Sequence, residues 1–219
     1  MLPETPSFRL DNRRALVTGA SGGIGAAAAV ALAAAGAEVV LAARRVKPMQ
    51  ATVDALAARG LRARAVAMDV TDEAFDALLD LSVRAAFTVA QAVARGMVAA
   101  GRGGAIINMG SVNGHVARET ISVYTATKHA IEGLTKGMAL ELGKHGIRVT
   151  SLCPTWIDTP LVRPLLDDPA TLEMMLSRLP IGRVGHVEDL MGVIVFLASP
   201  AAAMITGSPT LVDGGQTSY

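Results

Sequence analysis

Residues 14–25 read RALVTGASGGIG, and their reading decides the fold. RALVT (14–18) is a short apolar run of strand length. TGASGGIG (18–25) leaves it as a Gly-rich loop, and an Ala-rich segment follows as a helix to about Ala35, closed by Gly36. Gly19 permits the tight turn. Gly23 lets the backbone approach a pyrophosphate, and Gly25 lets the helix pack closely on the strand. The unpaired N–H groups of the helix N-terminus offer donors and positive potential to a phosphate. Alone, such a loop is a weak sign, because any turn that needs flexible residues looks similar.

Outward from this unit, strands and helices alternate. EVVLA (38–42) is a second strand, ATVDALAARG (51–60) a helix stopped by Gly60, and RAVAM (64–68) a third strand. A long helix over about 73–100 places Phe75, Leu78, Ser82, Ala86, Val89, Val93 and Met97 at helical spacing. AIINM (105–109) reads as a buried strand, 122–144 as a helix, and IRVTSLC (147–153) as a strand stopped by Pro154. The 155–186 stretch is irregular with helical pieces, 187–199 is a helix, and PTLVD (209–213) is a last strand. Alternation of this kind predicts an α/β, Rossmann-like, doubly wound parallel sheet in three layers. It is expected to form a single dinucleotide-binding domain over residues 1–219.

Bulk properties exclude several classes. Formal net charge is +1, which gives no electrostatic case for nucleic acid or a membrane surface. Hydrophobic residues make up 51%, yet no apolar run reaches membrane-spanning length without charge or Gly. MLPETPSFRLDNRR (1–14) has no apolar core to act as a signal peptide. The one cysteine, Cys153, cannot form an intramolecular disulfide or a Cys-based zinc site. His115, His129, His145 and His186 show no metal-ligand spacing, so no metal is expected, and Cys153 reads as inert core. A reduced, cytoplasmic protein is the expectation.

The chemistry is carried by YTATK (124–128). Tyr124 and Lys128 stand at i and i+4, on one face of a helix. A phenol, with an ordinary pKa of about 10, is a poor acid–base at neutral pH, and a nearby ammonium favours its phenolate. Such a Tyr can give a proton to a carbonyl or take one from an alcohol. Ser111 follows the AIINM strand at the carboxyl edge, where ligands bind in such sheets, and its hydroxyl suits a substrate oxygen. The second strand ends in Ala42 and Ala43, without the acid that holds a ribose 2′-OH, and Arg44 and Arg45 follow. A guanidinium suits a 2′-phosphate, so NADP(H) is expected over NAD(H). A solvated basic turn is the plainer alternative for that pair.

These motifs together resemble the short-chain dehydrogenase/reductase family, in its shorter single-domain form. They are TGASGGIG (18–25), MDV (68–70), INMGS (107–111), YTATK (124–128), CPTWIDTP (153–160) and TGSPTLVDGG (206–215), in the family's order from about Phe8 onward. The chain is similar to the family's 3-oxoacyl-ACP reductases and gluconate 5-dehydrogenase-like enzymes. The resemblance implies Tyr124 as the acid–base, Lys128 as the residue that lowers its pKa and holds the nicotinamide ribose, and Ser111 as the group that orients the substrate carbonyl. It implies cofactor contacts at Gly19, Ser21, Gly23, Ile24 and Gly25, at Arg44 and Arg45, and at Asp69 and Val70 beside the adenine. Pro154, Thr155, Ile157 and Thr159 fall where the family lines the nicotinamide. It implies a homo-oligomer, dimer or tetramer, to which the apolar segments 187–199 and 209–215 could contribute.

Three departures stand out. The family's Pro-Gly is Pro154-Thr155. Ser82 stands where the family carries the Asn that supports a proton relay to the Lys; a small core residue is the alternative reading. Between Val70 and Phe75 the family's further helix, strand and Asn-rich turn are missing, a unit of roughly 30 residues. That strand is central in the family, beside the first and fifth. Two explanations are open. One is a true deletion that brings Ala15–Thr18 against Ile106–Met109. The other, favoured by the otherwise intact site, is that the molecule has residues here which the 219-residue sequence lacks.

The expected function is hydride transfer between NADP(H) and a small carbonyl or secondary alcohol by a Ser-Tyr-Lys mechanism. The alternative is a catalytically impaired nucleotide-binding homologue acting as a sensor or scaffold, favoured by the missing strand and Ser82. A sugar-nucleotide epimerase shares the Tyr–Lys pair, but the chain is too short for the added substrate domain.

Overall fold

The computed structural model describes residues 7–68 and 78–218. These fall into two compact units, one built from 7–68 with 156–201 and the other from 78–155 with 202–218.

The first unit holds β1 (Arg14–Thr18), α1 (Gly23–Ala34), β2 (Glu38–Ala43), α2 (Val46–Ala57) and β3 (Ala63–Ala67). Its three strands are parallel in the order β1-β2-β3, with Thr18 beside Ala42 and Ala42 beside Val66. β2 is the inner strand, and Val39 and Leu41 on it are fully buried. α1 buries Ala28, Ala29, Ala31, Leu32 and Ala33; side chains this small let the helix axis approach its neighbours closely. The predicted helix at 51–60 begins earlier, at Val46, and ends at Ala57. Later in the chain the same unit adds α5 (Arg163–Leu166), α6 (Pro169–Leu176) and α7 (Glu188–Ala198). Met175 and Leu179 are buried, which makes the apolar spacing of 172–179 ordinary packing.

The second unit holds α3 (Ala85–Ala100), β4 (Gly104–Met109), α4 (Ser122–Leu142), β5 (Ile147–Pro154) and β6 (Pro209–Val212). Its strands are parallel in the order β4-β5-β6. β5 is the inner strand and is buried along most of its length. Ala90 of α3, Met138 and Ala139 of α4, and Ile147 and Val149 of β5 form its core cluster. No helix among the described residues is long and apolar enough to cross a membrane.

Three expectations need correction. The 73–100 segment is not one uniform helix: Asp80–Arg84 is a π-helical turn that precedes α3. A π turn adds a residue to the repeat. Within α3, Ala90 and Ala94 are buried, Ala86, Val89 and Val93 beside them are half-buried, and Met97 packs against the core cluster, so the predicted face is kept there. AIINM is only half-buried and Met109 is 39% exposed; among the described residues β4 pairs on one side only. Pro154 does not stop β5 but ends it, opposite Val212. Asp69, Val70 and the seam to Phe75 lie outside the described residues. Among the described strands β1 pairs only with β2 and β4 only with β5, so the pairing of the first and fifth strands expected for a deletion is not among them.

Candidate active site

The glycine loop lies in the first unit and has the geometry that phosphate binding requires. α1 starts at Gly23, with no side-chain cap on its first N–H groups and no acid in its first turn. Those donors are therefore left for an anion. Gly23 has φ +53°, and a Cβ there would touch the side chain of Thr159 at 3.4 Å. A Cβ on Gly25 would lie 2.5 Å from the Gly19 carbonyl oxygen, so the helix packs directly on the loop's backbone. Ala20 N–H donates to Ala42 O at 3.3 Å, which ties the loop to the end of β2. Arg44 and Arg45 are exposed just beyond that end. The Arg45 guanidinium donates to Ser21 Oγ at 3.4 Å, bringing a fixed cation to the loop. These residues fit the diphosphate of a nicotinamide dinucleotide.

Ile157 is buried and bridges to Gly185, and Asp158 N–H donates to Gly185 O at 2.8 Å. This fixes the segment that carries Thr159. A cavity of about 510 Å³ lies in the same unit, lined by Gly23, Val30, Thr52, Asp158, Glu188 and Met191 among others. Asp158 pairs with Arg163 at 2.7 Å through one oxygen; its other oxygen is buried without a partner.

The acid–base residues lie in the second unit. Lys128 Nζ donates to Met109 O at 2.9 Å and lies 5.6 Å from the centre of the Tyr124 ring. Burial pulls the Lys128 pKa below its usual value, opposed by Cys153 and Glu132. Ser111, two residues past Met109, is buried and caps a 3₁₀ turn at Val112–Gly114, its Oγ accepting from Asn113 N–H at 3.2 Å. A hydroxyl keeps its own hydrogen and a second lone pair after one such bond. Ser82 is half-buried on the π-helical turn, so it lies on no regular α-helical face. Thr155 needs no glycine conformation, since among the described residues only Asn12 and Thr120 are non-glycines with positive φ. Its N–H donates to Val212 O at 3.3 Å and its hydroxyl to Gln216.

A buried polar cluster next to Lys128 has no linear signature. Glu132 is 6% exposed and accepts from Ser151 Oγ at 2.6 Å and from the Cys153 thiol at 3.3 Å. His115 Nε2 lies 3.8 Å from it, so His115 is more than a loop residue. Burial pushes the Cys153 thiol up to about 12. The His115, Glu132 and Cys153 ligand-type atoms lie within 4.8 Å of one another, a grouping the sequence spacing does not show. The carboxylate already has hydrogen-bond donors on both oxygens and the Lys128 ammonium nearby, so the cluster reads as a hydrogen-bond hub. One signal was present: Tyr124, Lys128 and Glu132 repeat at every fourth position.

Parallel α/β units with this glycine loop have the architecture of a dinucleotide-binding protein. Residues 13–75 match the model described as short chain dehydrogenase, and residues 68–217 match the one described as enoyl-(acyl carrier protein) reductase. The chain is 38% identical to gluconate 5-dehydrogenase of Gluconobacter oxydans (strain 621H), covering 96% of each. It is 41% identical to L-xylulose reductase of Mus musculus, covering 94% of this chain and 97% of that one. The crystal structure of a gluconate 5-dehydrogenase from Burkholderia cenocepacia J2315, in complex with NADP and tartrate, matches with a TM-score of 0.91 at 36% identity, over 97% of this chain and 98% of that one. The chain belongs to the short-chain dehydrogenase/reductase family of oxidoreductases. The alignment to the Gluconobacter enzyme runs over 248 positions, of which 96% of 219 residues fills about 210. About 38 positions therefore have no counterpart here. The two family matches meet across 68–75, where the missing strand was expected.

Proposed function

We propose that the protein transfers hydride between NADP(H) and a polyhydroxylated ketone or the corresponding secondary alcohol, of the sugar-acid or ketose type. The observation that carries this reading is Lys128, bonded to Met109 O and set 5.6 Å from the Tyr124 ring, with Ser111 at the end of the same strand. The substrate class is supported by the names of the relatives, gluconate 5-dehydrogenase and L-xylulose reductase. The choice of NADP(H) over NAD(H) is supported by Arg45 at Ser21, by the absence of an acid at Ala42 and Ala43, and by the NADP bound in the Burkholderia structure.

Bound nicotinamide would supply or accept the hydride. Tyr124 gives its phenolic proton to the carbonyl oxygen in reduction and takes one from the alcohol in oxidation. The Lys128 ammonium stabilises the phenolate left behind. Ser111 donates its free hydrogen to the same substrate oxygen, holding it beside Tyr124. Gly19, Ser21, Gly23, Ile24 and Gly25 hold the diphosphate, Arg44 and Arg45 the 2′-phosphate, and Pro154, Thr155, Ile157 and Thr159 the nicotinamide side. The two units act as one dinucleotide-binding domain, supported by relatives that span both. A homo-oligomer, dimer or tetramer, is part of the reading, supported by Leu140 of α4, which is 86% exposed.

The test is Tyr124→Phe. It should abolish turnover of a polyol or ketose panel, a loss of about 10²–10⁴-fold, with NADPH affinity nearly unchanged. A variant with more than half of the unmodified kcat would sink the assignment. The second reading, a nucleotide-binding protein with impaired catalysis, is favoured by the lack of a sequence segment for the family's strand between Val70 and Phe75 and by Ser82. NADPH binding without turnover of any carbonyl in the panel would select it.

A further inference from the structure

We propose that Glu132 is a positioning residue for the reaction: its buried carboxylate, held by Ser151 and Cys153, braces the Met109–Ser111 turn and sits behind Lys128. The inference rests on the Ser-Tyr-Lys reading above and adds a fourth residue to that set. Tyr124, Lys128 and Glu132 stand at i, i+4 and i+8 of α4, so Glu132 follows Lys128 by about one turn.

The turn it braces is tied at each of its three residues. Met109 O accepts from Lys128 Nζ at 2.9 Å. Gly110 N–H donates to Leu152 O at 2.8 Å. Ser111 O accepts from Gly114 N–H at 2.9 Å. Gly110 lies directly on the cluster, since a Cβ there would stand 2.6 Å from Cys153 Sγ and 2.6 Å from a Glu132 carboxylate oxygen. The backbone that presents Ser111 therefore rests on the Glu132–Cys153 pair. Cys153 and Ser151 are fully buried and Glu132 nearly so, so water cannot replace these bonds at low cost.

The same carboxylate acts on Lys128 electrostatically. The groups facing Lys128 are Tyr124 and Glu132 on its own helix and Cys153 on β5, with His115 beside Glu132 beyond the 3₁₀ turn. Of these, Glu132 carries the negative charge that favours an ammonium against burial. Without it the ammonium that supports the Tyr124 phenolate is easier to lose. A carboxylate that only filled space would leave Lys128 indifferent to its charge.

The experiment uses the full chain with Glu132→Gln, which keeps the size and removes the charge, and Glu132→Asp, which keeps the charge and shortens the reach. Two readouts are taken. The first is kcat, KM and NADPH affinity. The second, independent of activity, is the pH titration of the Lys128 ¹³Cε resonance in [¹³C]lysine-labelled protein, assigned by its loss in Lys128→Arg. Glu132→Gln is expected to bind NADPH within twofold of the unmodified protein and to lose about tenfold or more in kcat, as a displaced turn would cause. Its Lys128 titration is expected at lower pH. Glu132→Asp is expected to restore that titration toward the unmodified value. An unchanged Lys128 titration and kcat in Glu132→Gln overturns the proposal. So does a parallel fall in kcat, NADPH affinity and melting temperature with Lys128 unmoved, which is the mark of a packing role alone. Tyr124→Phe is run alongside. If it retains activity the Ser-Tyr-Lys reading fails, while the Lys128 titration still decides whether Glu132 acts on the lysine.

Discussion

Replacing Gly25 with Ala adds one methyl group at the closest helix–loop approach in the first unit. The new Cβ would stand 2.5 Å from Gly19 O, 2.8 Å from Gly19 C and 3.1 Å from Ala20 Cα, where ordinary contact begins at 3.4 Å. All three neighbours are backbone atoms and cannot swing aside. The loop and α1 must separate by about 0.9 Å, but Thr18 is fixed in β1 and Ala20 is bonded to Ala42. Overpacking of this kind costs about 1–3 kcal/mol. In a chain of this size that is a fall of about 2–12 °C in melting temperature. The displaced N–H groups would lose one or two hydrogen bonds to a charged phosphate, each worth about 1.5–3 kcal/mol. NADPH affinity should therefore drop by about tenfold or more. The assay is NADPH fluorescence titration beside a thermal melt. Gly22→Ala is the control: nothing lies within 4 Å of its Cβ, and its φ of 166° is extended backbone open to any residue. It should cost no more than about 1 kcal/mol, through the poorer N-cap. A Gly25→Ala protein that binds NADPH within threefold of normal, with an unmoved melting temperature, would refute the close-packing argument.

Arg44→Ala with Arg45→Ala should weaken NADPH binding and leave NADH binding as it was; tighter NADH than NADPH binding by the unmodified protein would contradict the 2′-phosphate assignment. Cys153 should resist iodoacetamide in the native state at pH 8 and label fully once unfolded, because burial keeps its thiol protonated; rapid native labelling, read by mass spectrometry, would contradict this. Arg183, donating at 2.7 and 2.8 Å, and the His186 N–H hold the Asp189 pKa well below the usual carboxylate range. A depressed folded-state pKa stabilises above the ordinary Asp value and ceases to do so as pH falls below about 4. Asp189→Asn should thus be less stable than the unmodified protein at pH 7, with the gap closing toward pH 2 in chemical denaturation; a gap independent of pH would refute it.

Much of this was legible in the chain because it is local. RALVT, EVVLA and IRVTSLC became strands within a residue or two of their expected ends, since apolar β-branched runs bounded by glycine and helix leave little choice. The loop's glycines could be given separate tasks because backbone conformation and close approach depend on their immediate neighbours. Lys128 beside Tyr124 followed from helical spacing alone. What escaped depends on pairing across the chain. Glu132 meets Ser151 and Cys153 only because α4 and β5 run side by side, 19 and 21 residues apart in sequence. The π turn at Asp80–Arg84 escaped because apolar spacing cannot register one extra residue in a single turn. The early start of α2 at Val46 was hidden by Pro48, which reads as a breaker but is tolerated in a first helical turn.

The strands that carry the functional loops share one property. β1, which delivers the glycine loop, and β4, which delivers Ser111, are each paired on one side only among the described residues. Leu16 and Met109 are 40% and 39% exposed, although both belong to apolar runs that read as interior strands. The ladder described for each of these strands holds it from one side. Catalytic groups must nevertheless be held within a fraction of an ångström. The precision therefore has to come from ties at the strand ends. In the first unit Ala20 N–H is bonded to Ala42 O and Arg45 to Ser21. In the second, Gly110 is bonded to Leu152 and Met109 to Lys128, and Gly110 lies against the Glu132–Cys153 pair. In this protein the inner strands β2 and β5, with the polar side chains of α4, carry that task, which is why the buried Glu132, one helical turn beyond YTATK, bears on the reactive groups.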